Sequence, residues 1–410
     1  MPLGAPGQPS RDTGSGGAVA GLKVVEFAQL IAAPFAGTLL ADFGADVIHV
    51  EDPRLGDSSR NMGPRHRGAP LWWKVAGRNK RSVTIDLRLK AGQALAHRLI
   101  EQVDVMITNF RPATLELWGL DWPTVHALNP RLIMLQVSGF GADSSRRGEP
   151  GFGKVGEAMS GAVYLTGPAD GPPMHTGFSH GDSVSALGGA MGILLALFRA
   201  AHDPDFQGEW IDLALFEMLF RINEWQVVVY DQLGRVPERA GNRLAVSPGA
   251  VVNTYETRDG HWVTVTSATL RSVLNVVRLL GLPEGDFMSI EDQTARADDL
   301  DAALNSWVSR QDLDECLRAL IGAGVVASKV YSMVDIMEDA TYREREDIVT
   351  IEDRDLGPLR MQAVLPRLLH HGGTIWRTGP NLGEDNNDVF SSVVGLTASE
   401  IQDLARQKVI

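Results

Sequence analysis

Residues 22–51 read LKVVEFAQLIAAPFAGTLLADFGADVIHVE, and this stretch decides the fold. It opens on a short β-branched run, KVVEF, and passes through the loop AQLIAAP. It continues as an apolar helical segment ended by Gly44 and closes on a second strand, DVIHVE. Strand, helix and strand in so short a span make a βαβ unit, in which the helix carries the chain back and leaves the two strands parallel.

The same rhythm recurs downstream as RSVTIDL, AGQALAHRLIEQV, DVMITNF, WPTVHALNP and RLIMLQVSGF. The expected fold class is therefore α/β: an open, doubly wound, Rossmann-like parallel sheet with helices on both faces. Ligands of such sheets bind beyond the carboxyl ends of the strands. The loops at those ends are AQLIAAP, EDPRLGDSSR and NFRPATL, and the last two carry arginine. After a helical-looking run, IDLALFEMLFRINEWQVVVYDQL, the pattern changes. In NTYETRDGHWVTVTS, Asp259-Gly260 separates two alternating runs and signals a hairpin, with short helical segments LRSVLNVVRLLG and RQDLDECLRALIGAG after it. The expected organisation is a Gly-, Pro- and Ser-rich disordered tail at 1–20, the first part of a large domain at 21–224, a small α+β domain at 225–330, and a return to the large domain at 331–410.

Composition narrows the function. A net charge of -13 argues against a general nucleic-acid binder, so an anionic ligand must be met by local arginines and lysines. The single cysteine, Cys316, allows no intrachain disulfide and sits in the helical pattern LDECLRAL, where it reads as a buried structural thiol in a reducing, cytoplasmic setting. No uninterrupted apolar run reaches the roughly 18 residues of a membrane span, and the start lacks a signal-peptide core; no membrane partner is expected. GxGxxG after the first strand, a Walker loop, a GxSxG elbow and paired metal-spaced histidines are all missing from the sequence, and no metal site is expected.

One residue stands out. Asp182 is the only Asp, Glu, Lys or Arg between Asp170 and Arg199, and it immediately precedes the apolar run of HTGFSHGDSVSALGGAMGILLALF. An aspartate there serves as a helix N-cap, accepting backbone N–H bonds, or as a chemical reagent. The positive helix end would keep it ionised and available as a nucleophile. Its small neighbours, Gly177, Ser179, Gly181, Ser183, Gly188 and Gly189, suit either close helix packing or the approach of a thin ligand. Arg78, Lys80, Arg81, Arg88 and Arg111, near predicted strand ends of an acidic protein, suggest a site for a phosphorylated ligand.

Taken in order, GLKVVEFAQLIAAPFAGTLLADFGADVIHVE, the GD..R of Gly56, Asp57 and Arg60, NKRSVTIDL, TNFRPATLELWGL, LNPRLIMLQVSGFG, EAMSGAVYLTG, the Asp182 segment, GEWIDLALFE, DGHWV and GPNLGED resemble the family III CoA-transferases. That group includes formyl-CoA transferase, carnitine-CoA transferases and bile-acid-inducible transferases. The resemblance runs from Gly21 to the C-terminus. It implies a large α/β domain, a smaller second domain and a homodimer of interlinked chains. It also implies that Asp182 attacks an acyl-CoA thioester and passes CoA to a small carboxylic acid through mixed-anhydride and aspartyl-CoA intermediates. Coenzyme A is then a substrate, with no permanently bound cofactor and no metal.

By the same resemblance, CoA contacts fall on Ile85, Asp86, Leu87, Arg88, Asn109, Phe110 and Arg111. Two arginines of the formyl-CoA enzyme are Asp52 and Leu117 here, so phosphate contacts pass to residues such as Arg54, Arg60 or Arg81. On the substrate side, Ile31, with Ala32 next to it, stands where the formyl-CoA enzyme has a glutamine in its first loop, Phe152-Gly153 replaces a tyrosine-glutamate pair, and GNRLAVSPGAVV replaces a glycine-rich loop. Oxalate is thus disfavoured and a bulkier or less polar acyl group favoured. Two alternatives stay open: an α-methylacyl-CoA racemase, whose Gly-His-Asp triplet is Gly151-Phe152-Gly153 here, and a non-catalytic CoA-binding protein.

Overall fold

The computed structural model describes residues 16–410. The described residues form two compact units, one of 16–160, 176–222 and 343–410, the other of 161–175 and 223–342. The expected 1–20 tail is corrected at its inner end. Residues 1–15 lie outside the described residues, but 16–20 form a turn in which the Val19 N–H donates to the Phe43 carbonyl at 3.1 Å.

The larger unit is built on six parallel strands: β1 (Lys23–Phe27), β2 (Asp46–Glu51), β3 (Lys80–Thr84), β4 (Val105–Thr108), β5 (Ile133–Ser138) and β6 (Glu209–Ala214). Their order is β3-β2-β1-β4-β5-β6, so it reverses between β1 and β4. Alternate residues of each strand face opposite sides, and each side is covered by helices. Val25, Ile48, Met106 and Met134 pack with α2 (Lys90–Ile100) and α3 (Pro112–Trp118). Val24, Val47, Ile107 and Leu135 pack with α1 (Pro34–Asp42) and, beyond α4 (Gly153–Met159), with α5 (His180–His202).

Two readings of the sequence change here. The run IDLALFEMLFRINEWQVVVYDQL is not one helix: Trp210–Ala214 complete β6 beside β5, followed by short helices at Glu217–Ile222 and Gln226–Leu233. Glu224, with φ 55°, breaks the chain between them. In addition, α5 is long and apolar enough by composition to match a membrane span, with mean hydropathy 1.7 over 18 residues. Its small residues Gly181, Ser185, Ala186, Gly189 and Ala190 are buried, and Gly189 lies so close to Leu135 that any side chain would collide.

The smaller unit holds an antiparallel sheet of β7 (Val251–Glu256), β8 (Trp262–Ser267) and β9 (Ala327–Lys329), with the turn at Asp259-Gly260 joining the first two. Helices α6 (Leu270–Leu279), α7 (Ala297–Val308) and α8 (Leu313–Gly322) cover it through Val273, Leu304 and Leu320. Cys316 is buried there, and burial together with the Asp259 charge pushes its thiol up to about 11, which leaves it inert at neutral pH. The unit extends beyond the expected 225–330. It takes in 161–175, where the Gly167 carbonyl accepts the Gly241 N–H at 3.0 Å, and runs on to Tyr342 after β9.

The return segment, with hairpin β10 (Ile348–Asp353) and β11 (Gly357–Gln362) and helices α9 (Asn386–Ser392) and α10 (Ala398–Arg406), closes the larger unit. Backbone and side-chain groups of β3 and of the residues before it hold it. Asn79 accepts the Trp376 N–H at 2.8 Å, and Asp385 accepts the Ser82 N–H at 2.9 Å. The Pro380 carbonyl accepts from Trp73 Nε1 at 2.7 Å.

Beneath the carboxyl ends of β1, β2 and β3 runs a buried chain of charges. Lys80 Nζ bonds both Glu26 oxygens at 3.0 and 2.9 Å, and His49 joins Glu26 at 2.7 Å to Asp57 at 3.2 Å. Burial acts to lower the His49 pKa, but bonds to Asp57 and Glu26 outweigh it and push the imidazole up to about 9. A histidine raised in the folded state stabilises fully below its unfolded pKa of about 6.5, and that contribution is withdrawn as pH rises through about 9. Thermal melts should therefore show His49→Gln less stable than wild type by a few kcal/mol at pH 6.5. The gap should narrow by pH 9.5, and a pH-independent gap would contradict the charged clamp.

Candidate active site

The loop after β1 sits where the strand order reverses, and two side chains fix its shape. Asn109, just beyond β4, accepts the Gln29 N–H at 3.0 Å and donates to the Gln29 carbonyl at 2.7 Å. Asp57 accepts the Leu30 N–H at 3.2 Å, holding Leu30 at φ 66°, a left-handed conformation that costs a branched residue about 1–2 kcal/mol. Ile31 and Ala32 follow at once. Ala32 is buried in the core, whereas Ile31 is half-buried and lines a cleft of about 650 Å³ with Phe35, Trp72, Val75 and Phe178. Ser179 and Ser183 also line this cleft, and Asp182 lies between them in sequence.

Asp182 is not the N-cap of α5. The helix begins at His180 with Ser179 before it, so Asp182 occupies the first turn, where its half-buried carboxylate meets no hydrogen-bond or ion-pair partner among the described residues. The expected electrostatics are corrected as well. Burial raises its pKa, the like charge of Glu157 adds to this, and Lys154 acts against both, leaving the carboxyl pushed up to about 6. At pH 7 about 90% of it is still ionised.

Gly153 explains why this carboxylate has room. A methyl group at 153 would overlap both Asp182 oxygens, and one at Gly181 would strike the Gly153 carbonyl. The start of α4 and the first turn of α5 therefore meet backbone to backbone. Phe152 beside them is two-thirds exposed. Gly188 and Gly189, by contrast, are filled against by Met218 and Leu135 and serve helix packing.

The residues expected to contact CoA differ in what the fold leaves available. Ile85 and Leu87 are core residues, so only their backbone is available, and Phe110 packs edge-on to Trp118 at 5.0 Å. Asp86 and Asp52 hold Arg88, at 2.7 and 2.9 Å, with Arg88 half-exposed. Arg111 is exposed and meets no acidic partner among the described residues. Arg60 and Arg81 are turned inward, which corrects the expectation that they meet phosphate. Arg60 forks onto Glu51 at 2.6 and 2.7 Å and lies over Trp73 at 4.0 Å; Arg81 pairs with Asp46 and Asp388. Sequence reasoning missed Lys154 and Glu157 altogether. Their i, i+3 spacing on α4 was the available signal.

Among the described residues no group of three or more His, Cys, Asp or Glu side chains is placed to hold a metal ion. A carboxylate without a partner among the described residues, beside an apolar cleft and in the first turn of a helix that covers a six-stranded parallel sheet, offers acyl-group chemistry. Residues 19–386 match the sequence model of CoA-transferase family III, and the chain belongs to that family. It is a CoA-transferase, moving CoA between an acyl-CoA thioester and a carboxylate. The succinyl-CoA–D-citramalate CoA-transferase of Chloroflexus aurantiacus is 39% identical over 395 residues, covering 95% of this chain and 97% of that protein. The beta subunit of succinyl-CoA–L-malate CoA-transferase from the same organism is 37% identical, covering 96% and 98%. A crystal structure of a CAIB/BAIF family protein from Brucella suis superposes with TM-score 0.81 at 28% identity, covering 92% of this chain and all of that one.

Gly153→Ala should displace the Asp182 carboxylate while leaving the core intact. Steady-state rates are expected to fall at least about tenfold with little change in melting temperature. Unchanged turnover would show that the contact does not set the carboxylate's place.

Proposed function

We propose that Asp182 is the nucleophile of the transfer. The observation that carries this reading is its carboxylate: ionised at neutral pH, without a partner among the described residues, and given space by Gly153. One oxygen attacks the donor thioester carbonyl, the carbon–sulfur bond breaks, and CoA leaves as thiolate from a mixed anhydride. The thiolate then attacks the Asp182 carbonyl and expels the donor acid, leaving an aspartyl-CoA thioester. The acceptor carboxylate attacks that thioester and frees the thiolate, which takes the acceptor acyl group and returns Asp182 to a carboxylate. Raising the pKa makes the oxygen more basic without neutralising it at pH 7.

The names of the relatives support succinyl-CoA as donor and a small carboxylic acid as acceptor. The cleft lined by Ile31, Phe35 and Phe178 suits an acyl body with an apolar side. CoA itself is read along the ends of β3 and β4, using the backbone of 85–88 and 109–111, with Arg111 and Arg88 toward the phosphates. The strand order supports a Rossmann-like description of the larger unit. The remaining parts of the reading are an interlinked homodimer in the cytoplasm, with neither membrane nor nucleic acid as partner and no permanently bound cofactor.

Incubation with succinyl-CoA followed by hydroxylamine should convert Asp182 to its hydroxamate, visible as a mass change on that peptide. Asp182→Ala and Asp182→Asn should each lose about 1000-fold or more in transfer rate, and full activity in either would overturn the mechanism. In the wild type the donor half-reaction should rise with pH through about 6 and then level. Exchange of an α-proton in deuterated water without net transfer would point to racemase chemistry instead.

A further inference from the structure

We propose that Lys154 and Glu157 of α4 are positioning residues for Asp182: Glu157 fixes the first turn of α5, and Lys154 fixes the chain that leads into it. This rests on the reading of Asp182 as nucleophile. The side chain of Glu157 is almost wholly buried, and its Oε1 accepts the Gly181 N–H at 3.1 Å, one of the backbone donors that a helix start leaves open. Lys154 Nζ donates to both Glu157 oxygens at 3.2 and 3.0 Å and to the carbonyls of Thr176 and Phe178 at 2.9 and 3.0 Å. One ammonium thus ties α4 to the 176–178 segment. Phe178 lines the cleft beside Ile31, so the same tie sets a cleft wall.

A purely structural prop would not need a charge. Glutamine at 157 would accept the Gly181 N–H equally well and spare the cost of burying a carboxylate. The charge has an electrostatic consequence for Asp182 that other nearby groups do not supply. On the elements packed against α5, Asp42 of α1 is held by Arg78 and Asn79, Asp212 of β6 accepts the Ala142 N–H, and Glu217 accepts the Ala214 N–H. Arg221 lies on the same short helix as Glu217, and His180 stands in the first turn of α5 itself. Glu157 raises and Lys154 lowers the proton affinity of Asp182, after the larger effect of burial. The pair therefore sets how basic the carboxylate is as well as where it stands.

The test is the pH dependence of the donor half-reaction with succinyl-CoA, in wild type and three variants, each followed by hydroxylamine trapping. Glu157→Gln keeps the acceptor for Gly181 and should move the acidic midpoint below the wild-type value by about one pH unit, with a lower plateau. Lys154→Met should move the midpoint upward and raise KM, and Lys154→Arg should restore both. Rate losses equal at every pH, with the midpoint unmoved in Glu157→Gln and Lys154→Met, overturn the proposal. If Lys154→Met does not fold, Glu157→Gln still decides it, since an unmoved midpoint in that variant overturns the proposal. Trapping separates the two ideas: no adduct on Asp182 in wild type sinks the nucleophile assignment, whereas an adduct with unmoved midpoints sinks only the positioning role.

Discussion

The larger unit depends on a line of buried charges that begins at Lys80 and Glu26 and passes through His49, Asp57 and Glu51 to Arg60. Lys80 comes from β3, Glu26 from β1, His49 and Glu51 from β2, and Asp57 and Arg60 from the segment after β2, so the line sews β3, β1 and β2 together. Isolated charges in that position would be prohibitively costly, and removing one partner of such a pair costs about 3–5 kcal/mol. The interaction also reaches outward. Asp57 ends on the Leu30 N–H and shapes the first loop, and Arg60 ends on the Pro380 carbonyl and anchors the return segment. Motifs that look like ligand contacts in the sequence, GD..R and NKRS, are here mainly the means of holding that loop and that segment.

Against this rigid edge, the Asp182 carboxylate is distinguished by what it lacks. Glu26, Glu51, Asp57 and Asp42 are all engaged by cations or N–H groups, while Asp182 has no hydrogen-bond or ion-pair partner among the described residues: Gly153 leaves it room, and the charges of Lys154 and Glu157 act on it through space. Its environment holds it near the boundary of ionisation, which a cap geometry would not do. A cap lowers a carboxyl pKa through backbone donors, whereas first-turn placement with partial burial and a like charge raises it.

The sequence by itself determined the parallel sheet, because the alternation of short β-branched runs with 3.6-period segments permits little else, and it marked Asp182 by charge isolation alone. It also carried enough ordered motifs to indicate the family. It missed β6, since EWIDLA merges into the helical hydrophobicity that follows, and only pairing with β5 identifies it as strand. It could not tell inward arginines from outward ones: Arg60, Arg81, Arg88 and Arg111 look alike along the chain, and their roles follow from carboxylates brought near by the fold, such as Glu51 and Asp388. The surroundings of Asp182 were decided only by tertiary structure, because Gly153, Lys154 and Glu157 come near it through the close packing of two helices that glycines bring together. Charges interact through space, and the order of residues along the chain does not say which of them will be neighbours.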